Sequence, residues 1–109
     1  MGWLLRDGEV LASLEVAASR SKRRRGLLGR DSVDGAILLT PARSVHSFGM
    51  RFPLDVAWLD DDLTVLRTVR LGQHRMTRPV RGARSIVEAE AGAFARWGLL
   101  VGDQLERRD

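Results

Sequence analysis

The chain has no cysteine and no tyrosine, and a single lysine stands among its 18 basic residues. Without cysteine, disulfides, thiolate zinc sites and thiol nucleophiles are excluded. Aromatic residues are scarce, at 6%, so stacking platforms for single-stranded nucleic acid are few. No apolar run approaches the roughly 18 residues that a membrane-spanning helix needs. The beginning, MGWLLRDGEV, has no long apolar signal region, because Asp7 and Glu9 fall where one would sit. These absences lead to the expectation of a cytoplasmic protein. At 109 residues there is room for one core, so residues 1–109 are read as a single domain.

The charges that are present are unevenly spread. A sequence pI near 11.1 overstates a net charge of only +4, because arginine stays protonated and no thiol or phenol titrates beneath it. Residues 20–30 hold six basic side chains and no acid, as do residues 67–84. The intervening stretches 1–19, 31–66 and 85–109 carry −2, −4 and −2. If the two basic segments fold together they form an anion-attracting face. If apart, each is a solvated rim. Arg24, Arg30, Arg75 and Arg78 are the anion-binding candidates among them, and a non-sequence-reading grip on nucleic-acid phosphates is the alternative they invite.

Turn signals divide the rest into short strands. Trp3 to Arg6 and Glu9 to Ala18 flank Asp7-Gly8, a hairpin signal. Ser19 or Ser21 is positioned to cap a short helix through Leu28. Ala36–Thr40, Ser44–Phe52 and Leu54–Leu59 read as strands, the last two separated by Pro53. Asp60-Asp61-Asp62 is a turn before a strand over Leu63–Leu71, where Arg67 lies among apolar residues and is expected to have a partner. Gly72 to Gly82 has no periodicity and reads as a loop. Ser85–Glu90 is a strand, Ala91–Trp97 a short helix stopped by Gly98, and Gln104–Arg107 a last strand. The fold class is mainly β: a compact antiparallel β-sandwich or partial barrel with one or two short helices, with α+β as the alternative.

The segment VHSFGMRFPLDVAWLD, residues 45–60, is the most particular. Read at a period of two, His46, Phe48, Met50 and Phe52 share one strand face. Pro53 cannot donate to a ladder and marks an edge or bulge. Asp55 stands inside an apolar run and needs a partner, for which Arg51 is near in sequence. Glu88, in SIVEAEA, is a second carboxylate in an apolar setting. A ligand pocket built from His46, Phe48, Met50, Arg51, Asp55 and Glu88 is weighed against a structural ion-pair network.

Catalytic readings are weaker. Asp55 and Glu88 are a conceivable acid/base pair, and His46 with a carboxylate a conceivable hydrolase or lyase centre. No nucleophile elbow is present. His46, His74 and a carboxylate are the only metal set to consider, without HxH or HExxH spacing. The expectation is therefore a monomeric, non-enzymatic binding domain with no cofactor and no metal. Its partner would be a small polar or anionic ligand, or a protein.

Five stretches resemble the DUF192 (UPF0127) family: RRRGLLGR at 23–30, GAILLTP at 35–41, VHSFGMRFPLDVAWLD at 45–60, SIVEAEAG at 85–92 and WGLLVGDQL at 97–105. Val87-Glu88 stands where Leu-Glu is common in that family, and its tyrosine-containing loop has no counterpart here. The resemblance spans about Ala18 to the end. It implies a compact β-sandwich or partial barrel with short helices, and a candidate surface at the central motif, but no reaction.

Overall fold

The computed structural model describes residues 2–109. The hairpin signal at Asp7-Gly8 is realised literally. Asp7 and Gly8 both have positive φ, 52° and 79°, the geometry that matches the twist of the flanking strands. They join β1 (Gly2–Arg6) to β2 (Glu9–Ala17). After α1 (Arg20–Arg25) come β3 (Ala36–Leu39), β4 (Leu54–Leu59), β5 (Val65–Leu71), β6 (Ser85–Glu90), α2 (Ala93–Trp97) and β7 (Glu106–Arg108). Together the strands form one seven-stranded sheet in the order β5-β4-β6-β3-β2-β1-β7. Every pair is antiparallel except β2 with β3, which run parallel. The fold is mainly β, as the turn spacing indicates, but the sheet is mixed rather than wholly antiparallel.

The middle strands β3, β4 and β6 read as near-continuous apolar runs because both of their faces are covered. One face packs Leu14, Leu38, Ala57, Val87 and Ala89 against Phe94 of α2 and against Leu99 and Leu105. The opposite face packs Ala17, Ile37, Leu39, Val56, Trp58 and Ile86 against Leu27, Met50 and Phe52. The sheet curls until its two ends approach. Val65 N–H donates to Asp103 O at 2.8 Å, Gly102 N–H to Val65 O at 2.8 Å, and Leu105 N–H to Leu63 O at 3.0 Å. The ladder does not close, so the result is a partial barrel. Among the described residues, no helix is long and apolar enough to cross a membrane.

Several expected elements shift. Ser44–Phe52 is not a strand. It makes a single bridge, His46 to Met76, and turns tightly where Met50 N–H donates to Ser47 O at 3.0 Å and Gly49 takes φ 80°. The two-face reading of this segment therefore fails: Ser47, Met50 and Phe52 are buried while His46 and Phe48 are exposed. α1 stops at Arg25, not Leu28, because Gly26 leaves the helix at φ 48°, ψ −121°. A register shift opposite Trp58/Leu59 breaks the alternation of β5, sending Val65 to one core and Leu66 to the other. Arg67, opposite Trp58, is exposed and has no carboxylate partner among the described residues. The last strand begins at Glu106, and Gln104 only bridges Thr64.

Candidate functional site

Glu88 lies in the middle of β6, opposite Ile37 of β3 and Val56 of β4. Its neighbours on both flanks are thus aliphatic. Above it passes the end of α1. Ser19 caps that helix, its Oγ accepting from Lys22 N–H at 3.2 Å, and four basic residues, Lys22 to Arg25, fill the last turn, where the helix dipole favours cations. Leu27, 1% exposed, anchors the departing chain in the core. Gly26 then passes so close that a Cβ on it would meet Glu88 Oε1 at 3.2 Å. A side chain there would crowd the carboxyl, and the backbone conformation itself is one that only glycine adopts readily.

The facing wall is the segment 41–50. Ser47, fully buried, holds it in place. Its Oγ donates to Gly72 O at 2.6 Å and accepts from Arg75 N–H at 2.8 Å, and its own N–H donates to Arg75 O at 2.7 Å. Trp58 Nε1–H donates to Arg43 O at 2.8 Å, and Gln73 Nε2 to Met50 O at 2.7 Å. Arg23 ties the helix side to the strand ends through Ala18 O and Thr40 O. These bonds leave a cleft of about 380 Å³ between helix end and loop. Leu27, Leu28, Leu39, Pro41, Val45 and Met50 make its apolar walls, Glu88 lies at its floor, and Arg24, Arg25, Ser44 and His46 stand around it.

The electrostatics of the cleft are lopsided. The Glu88 side chain is 4% exposed and makes no hydrogen bond or ion pair with any described residue. Its oxygens are not sealed in protein, so they open on to the cleft. Burial in aliphatic surroundings disfavours the charged form and pushes its pKa from 4.5 to about 7. Arg24 and Arg25 have no carboxylate partner among the described residues, whereas Arg23 is occupied by carbonyls. His46 accepts from Phe48 N–H through Nδ1 at 3.3 Å, and its ring lies 5.4 Å from that of Phe48.

Of the residues singled out in the sequence, the cleft gathers His46, Met50, Glu88 and Arg24. Phe48 is 48% exposed outside it. Arg51 does not reach Asp55. It pairs with Asp31 at 2.7 Å in solvent. Asp55 faces the other side of the sheet, where Oδ2 accepts from Gly92 N–H at 2.9 Å and Phe94 N–H at 3.1 Å and so caps α2. Arg70 supplies its ionic partner at 3.3 Å. Asp55 and Glu88 are therefore back to back across the sheet and cannot act as an acid/base pair. Arg30 is held by Glu15 in a two-point contact at 2.9 and 2.8 Å, and each holds the other's ionised form. Arg75 and Arg78 are exposed on the 72–82 loop. Segment 44–50 contacts that loop through Ser47, while a Cβ on Gly49 would lie 3.6 Å from Leu28. The two basic segments are thus set on either side of it. His74, like His46, accepts a backbone N–H through Nδ1, here from Gly49 at 3.3 Å. Among the described residues no three His, Asp or Glu side chains cluster as a metal would require.

Ser47, Gly26 and the leucines of the helix exit escaped the sequence reading. The sequence runs the short helix through Leu28, which hides the turn that Gly26 makes out of it. A wider groove of about 720 Å³ borders the cleft and shares Arg25 and Gly26 with it. Its Glu15 and Arg30 satisfy each other, so it presents no comparable unpaired buried group.

The comparisons agree with this architecture. A UPF0127 protein from Pyrococcus abyssi is 28% identical, the match covering 97% of each chain. A crystal structure of a protein of unknown function from Novosphingobium aromaticivorans superposes with a TM-score of 0.81 at 19% identity, over 96% of this chain and 82% of that one. Another, from Sinorhizobium meliloti and described as a candidate transcription regulator, gives 0.82 at 22% identity, over 97% and 91%. At those identities the likeness is one of fold. The profile of DUF192, described as "Uncharacterized ACR", matches residues 3–107, and the chain belongs to that family.

Proposed function

We propose that this domain is a non-enzymatic binding module that takes a small polar or anionic molecule into the cleft floored by Glu88. The observation that carries the reading is the unpaired Glu88 carboxyl, 4% exposed at the base of an open cleft. Buried polar groups are nearly always hydrogen-bonded, and one left without a protein partner at a cleft floor is a place for a ligand to supply it. The apolar walls give contact area, and Arg24 and Arg25 attract a negative group to the mouth. A catalytic reading has less support, since the second carboxylate, Asp55, is committed to α2 on the opposite face. An electrostatic nucleic-acid grip draws on Arg24, Arg75 and Arg78, but the intervening segment 44–50 divides that basic surface.

A thermal-shift screen tests the reading, with nucleotides, phosphosugars, sugars, carboxylates, amino acids, divalent metals and short oligonucleotides. A ligand at about 100 times its dissociation constant adds roughly 2.7 kcal/mol, a clear rise in Tm. The expected result is a small-molecule shift that disappears in a folded Glu88→Leu variant. A hit that survives Glu88→Leu moves the site elsewhere, and a silent panel removes the small-ligand reading altogether.

A further inference from the structure

The chemistry of the cleft narrows the class of ligand. Resting on the cleft as a binding site, we infer that the ligand is a small zwitterion with an apolar body, its ammonium on Glu88 and its anionic group at Arg24 and Arg25. The floor sets the first end. Ile37, Val56 and Leu39 offer Glu88 no donor, and Gly26 N–H is already given to Lys22 O at 2.9 Å. Two carboxyl oxygens wait for donors, and an ammonium brings three N–H groups together with a compensating charge. An anion placed at the floor meets a carboxylate instead.

The mouth sets the second end. Arg24 and Arg25 are guanidiniums without carboxylate partners among the described residues, beside Arg23, which is tied to backbone carbonyls. Guanidinium pairs readily with carboxylate or phosphate. Between the ends, seven apolar side chains line a space of about 380 Å³, the lower part of the range of small-molecule pockets. An amino acid with an aliphatic or thioether side chain combines all three features.

Proton release follows from the geometry. The groups that face Glu88 are aliphatic on β3 and β4, the Gly26 backbone and Arg23 to Arg25 at the helix end, and His46 on the loop. Burial in aliphatic surroundings raises the carboxyl's pKa to about 7, so near neutrality seating an ammonium on it expels a fraction of a proton per ligand. Well above pH 7 the release fades.

Calorimetry with matched probes tests this class. The probes are the amino acids with apolar side chains, then two fragments of leucine: isopentylamine, which lacks the carboxylate, and 4-methylpentanoate, which lacks the ammonium. Isopentanol is the neutral donor. Titrations at pH 7 and pH 9 in buffers of different ionisation heat report the protons. At least one amino acid is expected to bind roughly tenfold or more tightly than its amine, and 4-methylpentanoate and isopentanol not at all. Glu88→Gln abolishes the proton release and weakens the amino acid, whereas His46→Asn keeps the release. A double Arg24→Ala, Arg25→Ala variant loses the amino acid's advantage over the amine. If the anion or the alcohol binds as well as the amino acid, the zwitterion class is wrong although the cleft remains a site. If no apolar amino acid binds while another molecule from the broad screen does, the class also falls and the binding module stands. If that screen is silent as well, both fall.

Discussion

At the scale of single residues, one carboxyl sets both the chemistry of the cleft and a cost in stability. Glu88 has a folded-state pKa of about 7 against 4.5 ordinarily, because the folded protein holds its protonated form better than the unfolded chain does. The favourable state is therefore fully present below about pH 4.5, and stability falls as pH rises through 7, by about 3 kcal/mol in all. Glu15 and Asp103, whose pKa values are lowered, act in the opposite sense and further into acid. Urea denaturation from pH 5 to 8 should show stability declining in the wild type and nearly flat in Glu88→Gln, which should be the more stable protein at pH 8. A wild-type profile that is flat over that interval would show the carboxyl to be solvated or paired. Glu88 was legible in the sequence as a carboxylate in an apolar run. Its lack of a partner was not, because that depends on what β3, β4 and α1 bring near it, and those elements are distant along the chain.

At the scale of elements, the sequence conveyed local signals faithfully and long-range ones poorly. The Asp7-Gly8 turn, the buried runs of β4 and β6 and the Gly98 helix stop are all set by residues adjacent to them. Segment 44–52 has the composition of a strand, and its alternation suggested one. Its hydrogen bonds go instead to Gly72, Arg75 and Thr77, partners that no local pattern reveals. The Asp55 reading failed for the same reason: Arg51 was near in sequence, while Gly92, Phe94 and Arg70 are near in space. α2 has Gly92 at its N-cap, with no capping side chain of its own, so Asp55 supplies the cap from another strand. Asp55→Ala leaves two inward amides unpaired and should destabilise by about 2–3 kcal/mol in urea denaturation. Arg70→Ala, at a side chain 61% exposed, should change stability by less than about 1 kcal/mol. Because α2 lies on the face away from Glu88, neither substitution should alter ligand affinity in the cleft. A large effect of Asp55→Asn on affinity at unchanged stability would restore Asp55 to the site.

For the whole molecule, the open question in the sequence was sandwich or barrel, and the answer lies in how the last dozen residues meet β5. The backbone bonds between Leu63–Val65 and Gly102–Leu105 draw the two ends of the sheet together and enclose the core that contains Leu105 and Phe94. They are few, and Arg6 of β1 braces the returning chain behind them. Its guanidinium donates to Trp97 O at 2.6 Å, Gly98 O at 3.1 Å and Asp103 Oδ2 at 2.9 Å. Asp103 also accepts Leu100 N–H at 2.9 Å, and that bond, together with Arg6, lowers its pKa. Arg6→Ala takes the donors from two carbonyls and one carboxylate and should cost about 1–3 kcal/mol. The loss should be local before it is global. Hydrogen exchange at the Val65, Gly102 and Leu105 amides should speed up in Arg6→Ala while the β4–β6 amides keep their protection relative to global unfolding. In the same variant an NMR titration should find Asp103 nearer the ordinary aspartate range, since one of its two stabilising contacts has gone. Uniform loss of protection across the sheet would instead mean that the curl is integral to a single cooperative unit, held by the core alone, with Arg6 merely one contributor to its stability.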